Sequence, residues 1–281
     1  MDNKSTTSQT AMLIASLRAL ACYEEDIKIR GNDYMADLFL PKDKRTALKS
    51  SEIRKEIKKA VPEGLYEYVI ARTQHFDKLF LEMINQQIPQ IVLLGAGYDS
   101  RAYRYASDIG NTKIFEVDMA GTQKEKLKIL EDNKINIHPN VVHVEADFEK
   151  DDWFQSLYDA GYKNSLKTLY IWEGVTFYLS PESVERTLRI LGKNSFSGSI
   201  ISFDYQHVDA HNKLIETGLK EENIKFGINY QECDDYLKAL GYSIIEKIDS
   251  STLSERYLTM TNGTRFGEIK SVMNIVVSML N

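Results

Sequence analysis

The chain has 281 residues, 43% of them hydrophobic, and its formal net charge at pH 7 is -6. This length accommodates one elaborated α/β domain with a large buried core. The acidic charge disfavours a nucleic-acid partner, because nucleic-acid binders usually concentrate Lys and Arg on one face. The apolar runs are shorter than the roughly 20 residues that span a bilayer, and the polar first residues lack the apolar segment of a secretory signal. We therefore expect a cytoplasmic protein with no nucleic-acid or membrane partner.

Cys22 and Cys233 are the only two cysteines, and their sequence contexts are typical of ordinary helix positions. The sequence therefore implies neither a disulfide framework nor a cysteine-based zinc site, and we expect no metal. A monomer or a homodimer is the plain expectation for a chain of this size.

The first part of the chain, residues 1–89, is predicted to be a helical cap. Apolar residues recur at helical spacing in 10–40, which ends against Pro41, and again in 51–60 and 64–87. We therefore expect helices in all three segments.

From residue 90 onward, short β-branched runs alternate with helical stretches, which indicates a parallel sheet with crossover helices. We predict strands at 90–95, 113–118, 141–147, 169–174, 199–204, 242–248 and 271–280. We predict helices at 99–107, 120–133, 151–160, 181–194 and 231–240. Segments near 205–230 and 249–270 are expected to form substrate lids. The predicted fold class is α/β: a Rossmann-like, seven-stranded, mostly parallel sheet with helices on both faces, over residues 90–281.

Two glycines, Gly95 and Gly97, follow the first predicted strand in the segment LLGAGYDSR. Glycines at a strand-to-helix turn let the backbone approach a ligand closely at the carboxyl edge of a parallel sheet. Gly95, Ala96 and Gly97 are therefore candidates for cofactor contact, although glycines here also serve turn conformation alone. The dinucleotide fingerprint has a third glycine where this chain has Ser100, which disfavours a nicotinamide cofactor.

Two aspartates close the next two predicted strands. Asp118 lies 21 residues after Gly97, the spacing at which a carboxylate accepts hydrogen bonds from ribose hydroxyls in such folds. Asp147, followed by Phe148, could hold and sandwich an adenine. Each aspartate could instead cap its strand end or the following turn.

Glu173 interrupts an apolar strand at its carboxyl end, in the segment WEGVTFYLS. Burial of an unpaired carboxylate is costly, so this side chain requires a positive partner. A cationic sulfonium amino acid is one candidate, and a protein Arg or Lys is the other. Arg72 and Arg18 lie in otherwise apolar helical faces and could meet a ligand carboxylate or an internal Asp or Glu.

The segments SLRALA, ART, LGAGYDSRAYR, FEVD, EADF and WEGVTFYL resemble, over roughly residues 8–205, the leucine carboxyl methyltransferase family. That family uses S-adenosyl-L-methionine and also contains polyketide and other small-molecule O-methyltransferases. The resemblance implies the class I methyltransferase fold with an N-terminal helical cap. It also implies methyl transfer to the oxygen of a small-molecule hydroxyl or carboxylate, secondary-metabolite acceptors included.

The same resemblance implies a set of cofactor contacts. The residues are Arg18, Arg72, Gly95, Ala96, Gly97, Asp118, Asp147, Phe148 and Glu173. Arg72 would bind the methionine carboxylate, Glu173 its amino group and Asp118 the ribose. Asp147 and Phe148 would hold the adenine. The glycine turn would line the methionine tail, and Arg18 would reach it from the helical lid.

A carboxylate acceptor is already anionic, whereas a phenol or an alcohol benefits from a general base. Asp204, Tyr205, His207 and His211 follow the fifth predicted strand and are weak candidates for that base. Two rival functions share the glycine turn and Asp118: a NAD(P)-dependent oxidoreductase, and a catalytically silent module that binds S-adenosylmethionine.

Overall fold

The structure is a computed structural model that describes residues 4–150, 153–209, 211, 213–214, 224–270 and 272–281. The α-helices of this part are α1 (Lys4–Ala21), α2 (Lys42–Ala47), α3 (Ser51–Ala60), α4 (Leu65–Asn85), α5 (Arg101–Arg104), α6 (Ala120–Asp132), α7 (Trp153–Asp159), α8 (Pro181–Asn194), α9 (Cys233–Ala239) and α10 (Ser250–Tyr257). Short 3-10 helices span Ala36–Phe39 and Thr176–Tyr178. The strands are β1 (Gln90–Leu94), β2 (Lys113–Asp118), β3 (Val141–Glu145), β4 (Thr168–Trp172), β5 (Ile200–His207), β6 (Gly227–Ile228), β7 (Tyr242–Ile248) and β8 (Met273–Leu280).

All of these strands belong to one sheet, in the order β3-β2-β1-β4-β5-β8-β7, with β6 beside β5. Strands β1 to β5 pair in parallel, whereas β8 runs antiparallel to both β5 and β7. The predicted mostly parallel α/β sheet is confirmed. Seven strands were predicted, and the additional one is the two-residue β6, which is too short to leave a periodic signal in the sequence.

The sheet is covered on both faces, so its central strands are buried along their whole length. On one face, Leu17 of α1 and Phe76 of α4 share a hydrophobic cluster with Ile91 and Leu93 of β1. On the other face, the cluster contains residues of β4, β5, α7 and α8. The N-terminal helices therefore pack directly on the sheet and bring α1 and α4 next to the end of β1. A domain boundary at residue 90 stays a prediction.

The prediction of one helix through 10–40 is wrong. Helix α1 ends at Ala21, Cys22 lies in the turn that follows, and the chain doubles back. The Gly31 amide donates to the Ala21 carbonyl at 3.0 Å, and a Cβ on Gly31 would lie 2.9 Å from the Ala21 side chain. This return places Asp33 inside the protein, where it pairs with Arg18 at 3.1 Å. A tertiary ion pair therefore decides the course of a segment whose local pattern is helical.

Two further expectations, the helix at 99–107 and the end of the fifth strand, change in the structure. The helix predicted at 99–107 is the single turn α5. The segment 249–270, whose role as a lid stays a prediction, contains α10, which packs on α4 through a 3.2 Å contact between Tyr257 Oη and His75 Nδ1. Strand β5 extends to His207, because its antiparallel pairing with β8 continues to Gln206. The predicted lid at 205–230 falls partly on residues 210, 212 and 215–223, which lie outside the described residues.

Candidate functional site

Strands β1 and β4 are parallel neighbours, so the residues that follow them meet at one edge of the sheet. Together with α1 and α4 they enclose a cavity of about 100 Å³. Its walls are Ala11, Ile14, Arg18, Arg72, Leu93, Leu94, Gly95, Ala96, Gly97, Tyr98, Asp99, Ile171 and Glu173. Six of the nine predicted cofactor residues therefore line one cleft: Arg18, Arg72, Gly95, Ala96, Gly97 and Glu173.

The glycine turn is required by backbone geometry. Gly95 has φ +69° and Gly97 has φ +41°, in the left-handed region that side-chain-bearing residues rarely adopt. A Cβ on Gly95 would lie 2.4 Å from Val175 Cγ2. The conformational role of these glycines is therefore real, and the same turn exposes backbone atoms to the cleft.

Asp118 belongs to this turn although it does not line the cleft. Its Oδ2 accepts a hydrogen bond from the Gly97 amide at 2.6 Å, and its Oδ1 accepts one from the Met119 amide at 2.7 Å. Burial raises the pKa of this carboxyl group, while the two amide donors act in the opposite direction. The Thr122 side chain is a third hydrogen-bonding partner, and because a carboxylate offers about four acceptor sites, the group can still accept from a ligand hydroxyl.

Asp147 and Phe148 do not line the cleft. Asp147 accepts from the Glu149 amide at 3.1 Å and pairs with Lys150 at 3.3 Å, which is the turn-capping alternative raised by the sequence. Phe148 packs edge-on against Trp153, with ring centroids 5.1 Å apart. Their contact with adenine stays a prediction.

Glu173, directly after β4, is held by two arginines. Its Oε1 lies 3.0 Å from Arg72 Nε, and its Oε2 lies 2.8 Å from Arg101 Nη2. The Glu173 side chain is 13% exposed, so a ligand can still reach the carboxylate. The protein partners foreseen as one alternative are therefore present, and they leave room for a ligand.

Arg72 connects this pair to β5. Its Nη1 lies 3.2 Å from Asp204 Oδ2, and Asp204 also accepts from the Tyr68 hydroxyl at 2.8 Å and from the Gly174 amide at 2.7 Å. Burial disfavours the charge on Arg72, but the carboxylates of Glu173 and Asp204 outweigh burial and raise its pKa. Arg72 is therefore a permanent cation at the floor of the cleft.

Five charged residues that the sequence interpretation missed continue the network: Asp33, Asp77, Asp99, Arg101 and Arg104. Arg101 pairs with Asp77 at 2.8 Å and with Asp99 at 2.6 Å. Arg104 pairs with Asp77 at 2.9 Å and with Asp33 at 3.4 Å. The sequence contains a signal for Asp77, because this residue interrupts the apolar face of α4 as Arg72 does. A buried charge needs a partner, so Asp77 could have been predicted to pair with an Arg or Lys.

The candidate bases lie apart from the cleft or are already bonded. Asp204 is fully buried and bonded as described above, whereas Tyr205, next along β5, points to the opposite face and packs on Phe203 with ring centroids 6.1 Å apart. His207 Nδ1 accepts from the Tyr230 amide at 3.1 Å, and His211 is exposed. The structure brings only Asp204 to the edge of the site, and a role as base for any of the four stays a prediction.

The sequence profile of the leucine carboxyl methyltransferase family matches residues 11–192. The chain belongs to the leucine carboxyl methyltransferase family. The resemblance inferred from the motifs is therefore confirmed, and the matched range spans the glycine turn, Asp118 and Glu173.

Individual relatives of the chain agree with this family assignment. A provisionally named S-adenosyl-L-methionine-dependent methyltransferase of Streptomyces coelicolor is 32% identical over 194 residues, covering 68% of this chain and 66% of that relative. The match thus spans just under two thirds of the Streptomyces coelicolor relative. A similarly named protein of Mycolicibacterium smegmatis is 29% identical over 261 residues, covering 86% of this chain and 84% of that relative. Both relatives are named for their dependence on S-adenosyl-L-methionine.

Two solved structures share the fold of this methyltransferase family member. One is a provisionally named methyltransferase from Thermobifida fusca, with TM-score 0.62, 15% identity and coverage of 95% of this chain and 94% of that one. The other is a DUF574 family protein from Streptomyces avermitilis, with TM-score 0.60, 14% identity and coverage of 95% and 97%. The Rossmann-like methyltransferase fold is therefore confirmed. Within the described residues, no helix combines the length and apolarity that a membrane crossing requires.

Proposed function

We propose that this protein, an S-adenosylmethionine-dependent methyltransferase by family, transfers the methyl group to an oxygen of a small-molecule acceptor, a carboxylate in preference to a neutral hydroxyl. The observation that carries the proposal is that the charged side chains in the cleft are already engaged in ion pairs. Each charged side chain that lines it, among the described residues, already has an oppositely charged partner: Arg18 with Asp33, Arg72 with Glu173, and Asp99 with Arg101.

The donors and acceptors around the cleft match the cofactor's groups. A buried, permanently charged guanidinium such as Arg72 suits the methionine carboxylate. Glu173 suits the ammonium group, and the free lone pairs of Asp118 suit the ribose hydroxyls. The glycine turn lines the cleft with Gly95 and Gly97, which have no side chains, and it therefore suits close approach by the methionine tail. The proposal also retains Arg18 as a contact from α1, and Asp147 with Phe148 as the adenine site.

The preference for a carboxylate follows from proton transfer. When bound, the cofactor supplies an electrophilic methyl group on a sulfonium, and the chain's task is to align the acceptor oxygen with that methyl. Although burial opposes ionisation of Asp99, the neighbouring Arg101 lowers its pKa from 3.8 to about 2. Glu173 and Asp204 are held by arginines. Because the lowered pKa of Asp99 makes it a poor proton acceptor and the other two carboxylates are engaged in ion pairs, an acceptor that arrives as an anion is the better substrate.

The first experiment is calorimetric titration with S-adenosylmethionine and S-adenosylhomocysteine. We expect micromolar binding by the wild type and roughly tenfold weaker binding by Asp118→Ala and Glu173→Gln, because each leaves a ligand donor unsatisfied. Asp132→Ala, an exposed acidic residue on α6, is the control and should bind like the wild type. No binding by the wild type would contradict the proposal.

The acceptor class is tested by offering matched pairs of small carboxylic acids and phenols with the labelled methyl donor. Methyl esters formed faster than ethers from matched acceptors would support the carboxylate preference. Ether formation alone would contradict it. Cofactor binding without transfer to any acceptor would favour the silent-module alternative.

A further inference from the structure

Arg101 pairs through three nitrogens of its guanidinium group with three different carboxylates, donating hydrogen bonds to Asp77 and Asp99 and forming an ion pair with Glu173. Nε lies 2.8 Å from Asp77, Nη1 lies 2.6 Å from Asp99, and Nη2 lies 2.8 Å from Glu173. The residue is 1% exposed. Because the guanidinium is planar and rigid, three such anchors fix both its position and its plane.

This arrangement determines where the Glu173 carboxylate points. One of its oxygens meets Arg72 from α4, and the other meets Arg101 from α5. A carboxylate held through both oxygens by two helices cannot rotate about its last bond without losing an ion pair. Each oxygen still has a lone pair for a third donor.

We propose that Arg101 is a positioning residue: it fixes the Glu173 carboxylate so that its remaining lone pairs receive the amino group of the cofactor. The proposal rests on the cofactor placement proposed above, and it adds a residue with no cofactor contact assigned to it. Asp77 and Asp99 act through Arg101, since they hold the guanidinium in the plane that Glu173 requires.

A merely structural ion pair is the alternative, and the chain contains a matched control. Arg104 lies one helical turn from Arg101, is 7% exposed, and shares the partner Asp77. Where Arg101 pairs with Glu173, Arg104 pairs with Asp33. Replacing either arginine by lysine keeps the charge and removes the planar fork.

The test compares two ligands on the full-length protein: S-adenosylhomocysteine, and its analogue that lacks only the amino group. For each variant, calorimetry gives the dissociation constant of the analogue divided by that of S-adenosylhomocysteine, a ratio that measures the preference for the amino group. Thermal unfolding shows that the protein is folded. We expect Arg101→Lys to weaken binding of S-adenosylhomocysteine by about tenfold, as expected for one hydrogen bond between charged groups, and to leave the analogue nearly unaffected. Arg104→Lys should leave the ratio at its wild-type value.

A double-mutant cycle completes the test. If Arg101 acts through Glu173, the variant Arg101→Lys/Glu173→Gln should lose no more amino-group preference than Glu173→Gln alone. If Arg101→Lys does not fold, Asp77→Asn replaces it in the test. This change removes the partner of Arg101 Nε at a residue outside the cofactor cleft, and it should also lower the ratio of the two dissociation constants.

Two results overturn the proposal, and they are distinguishable. A wild-type ratio in Arg101→Lys, beside a reduced ratio in Glu173→Gln, would show that Arg101 has no positioning role while the cofactor placement holds. An unchanged ratio in Glu173→Gln would instead remove the cofactor placement itself, and with it the role of Arg101.

Discussion

The carboxyl edge of the sheet has two halves that are built differently. Around β1 and β4, the buried side chains of Arg72 and Arg101 both pair with the partly exposed carboxylate of Glu173. Around β2 and β3, Asp118 and Asp147 bond mainly to backbone amides: Asp118 to those of Gly97 and Met119, and Asp147 to that of Glu149. The first half therefore depends on charge pairs between side chains, whereas the second depends on hydrogen bonds to backbone amides, and substitutions in the two halves should have different consequences.

The largest effect is expected for Arg72→Met in the first half. This change leaves Glu173 with Arg101 as its cation and removes the cation that pairs with Asp204. Breaking a buried charge pair by removing one partner costs about 3–5 kcal/mol of unfolding free energy. Urea denaturation should show this loss, and calorimetry should show that cofactor binding is lost as well. Unchanged stability would contradict the distinction between the halves.

Gly95→Ala tests the junction of the two halves. Alanine at φ +69° is strained, and its Cβ would meet Val175 Cγ2 at 2.4 Å. We expect a loss of roughly 1–3 kcal/mol in unfolding free energy from strain and overpacking. The double variant Gly95→Ala/Val175→Ala separates the two causes, since it relieves the clash and keeps the strain. Full recovery in the double variant would show that φ contributes nothing.

A smaller effect, on cofactor binding, is expected to distinguish Asp118 from Asp147 in the second half. Asp118→Ala should weaken S-adenosylhomocysteine binding by roughly tenfold, as one lost hydrogen-bonding partner does. Asp147→Ala removes a turn cap and an exposed ion pair, so we expect a stability change of at most about 1 kcal/mol. Calorimetry on both variants decides the adenine role of Asp147, since a tenfold loss for Asp147→Ala would support it.

The last prediction concerns pH. Burial raises the pKa of Asp118, whereas Arg101 overcomes burial at Asp99 and lowers its pKa to about 2. On acidification, Asp118 should therefore take up its proton before Asp99 does. Carbon-detected NMR titration of the aspartate carboxyl groups measures both. The reverse order would contradict the charged environment described for the first half.

The sequence predicted much of this architecture because the relevant signals are local. Alternating β-branched runs and helical stretches predicted the parallel strands, and β1, β2 and β4 appear within two residues of their expected bounds. The glycine turn and Asp118 were also predictable, since a tight turn after a strand requires glycine and the spacing to the next strand end is short.

The rest required the folded chain. The segment 10–40 has a helical pattern, yet it doubles back at Gly31 to place Asp33 against Arg18. The length of β5 follows from its pairing with β8, far along the chain. Neither contact leaves a signal in the residues beside it.

The fold class, the family and the residue types at the strand ends follow from the amino-acid sequence alone, because periodicity, turn chemistry and motif order are properties of neighbouring residues. Which buried charges meet depends on the folded chain. Glu173 was expected to need a cation, but two arginines from separate helices reach it, and their other partners come from α4, β5 and the glycine turn. Partner choice among buried charges depends on distances between elements, which a linear pattern does not contain.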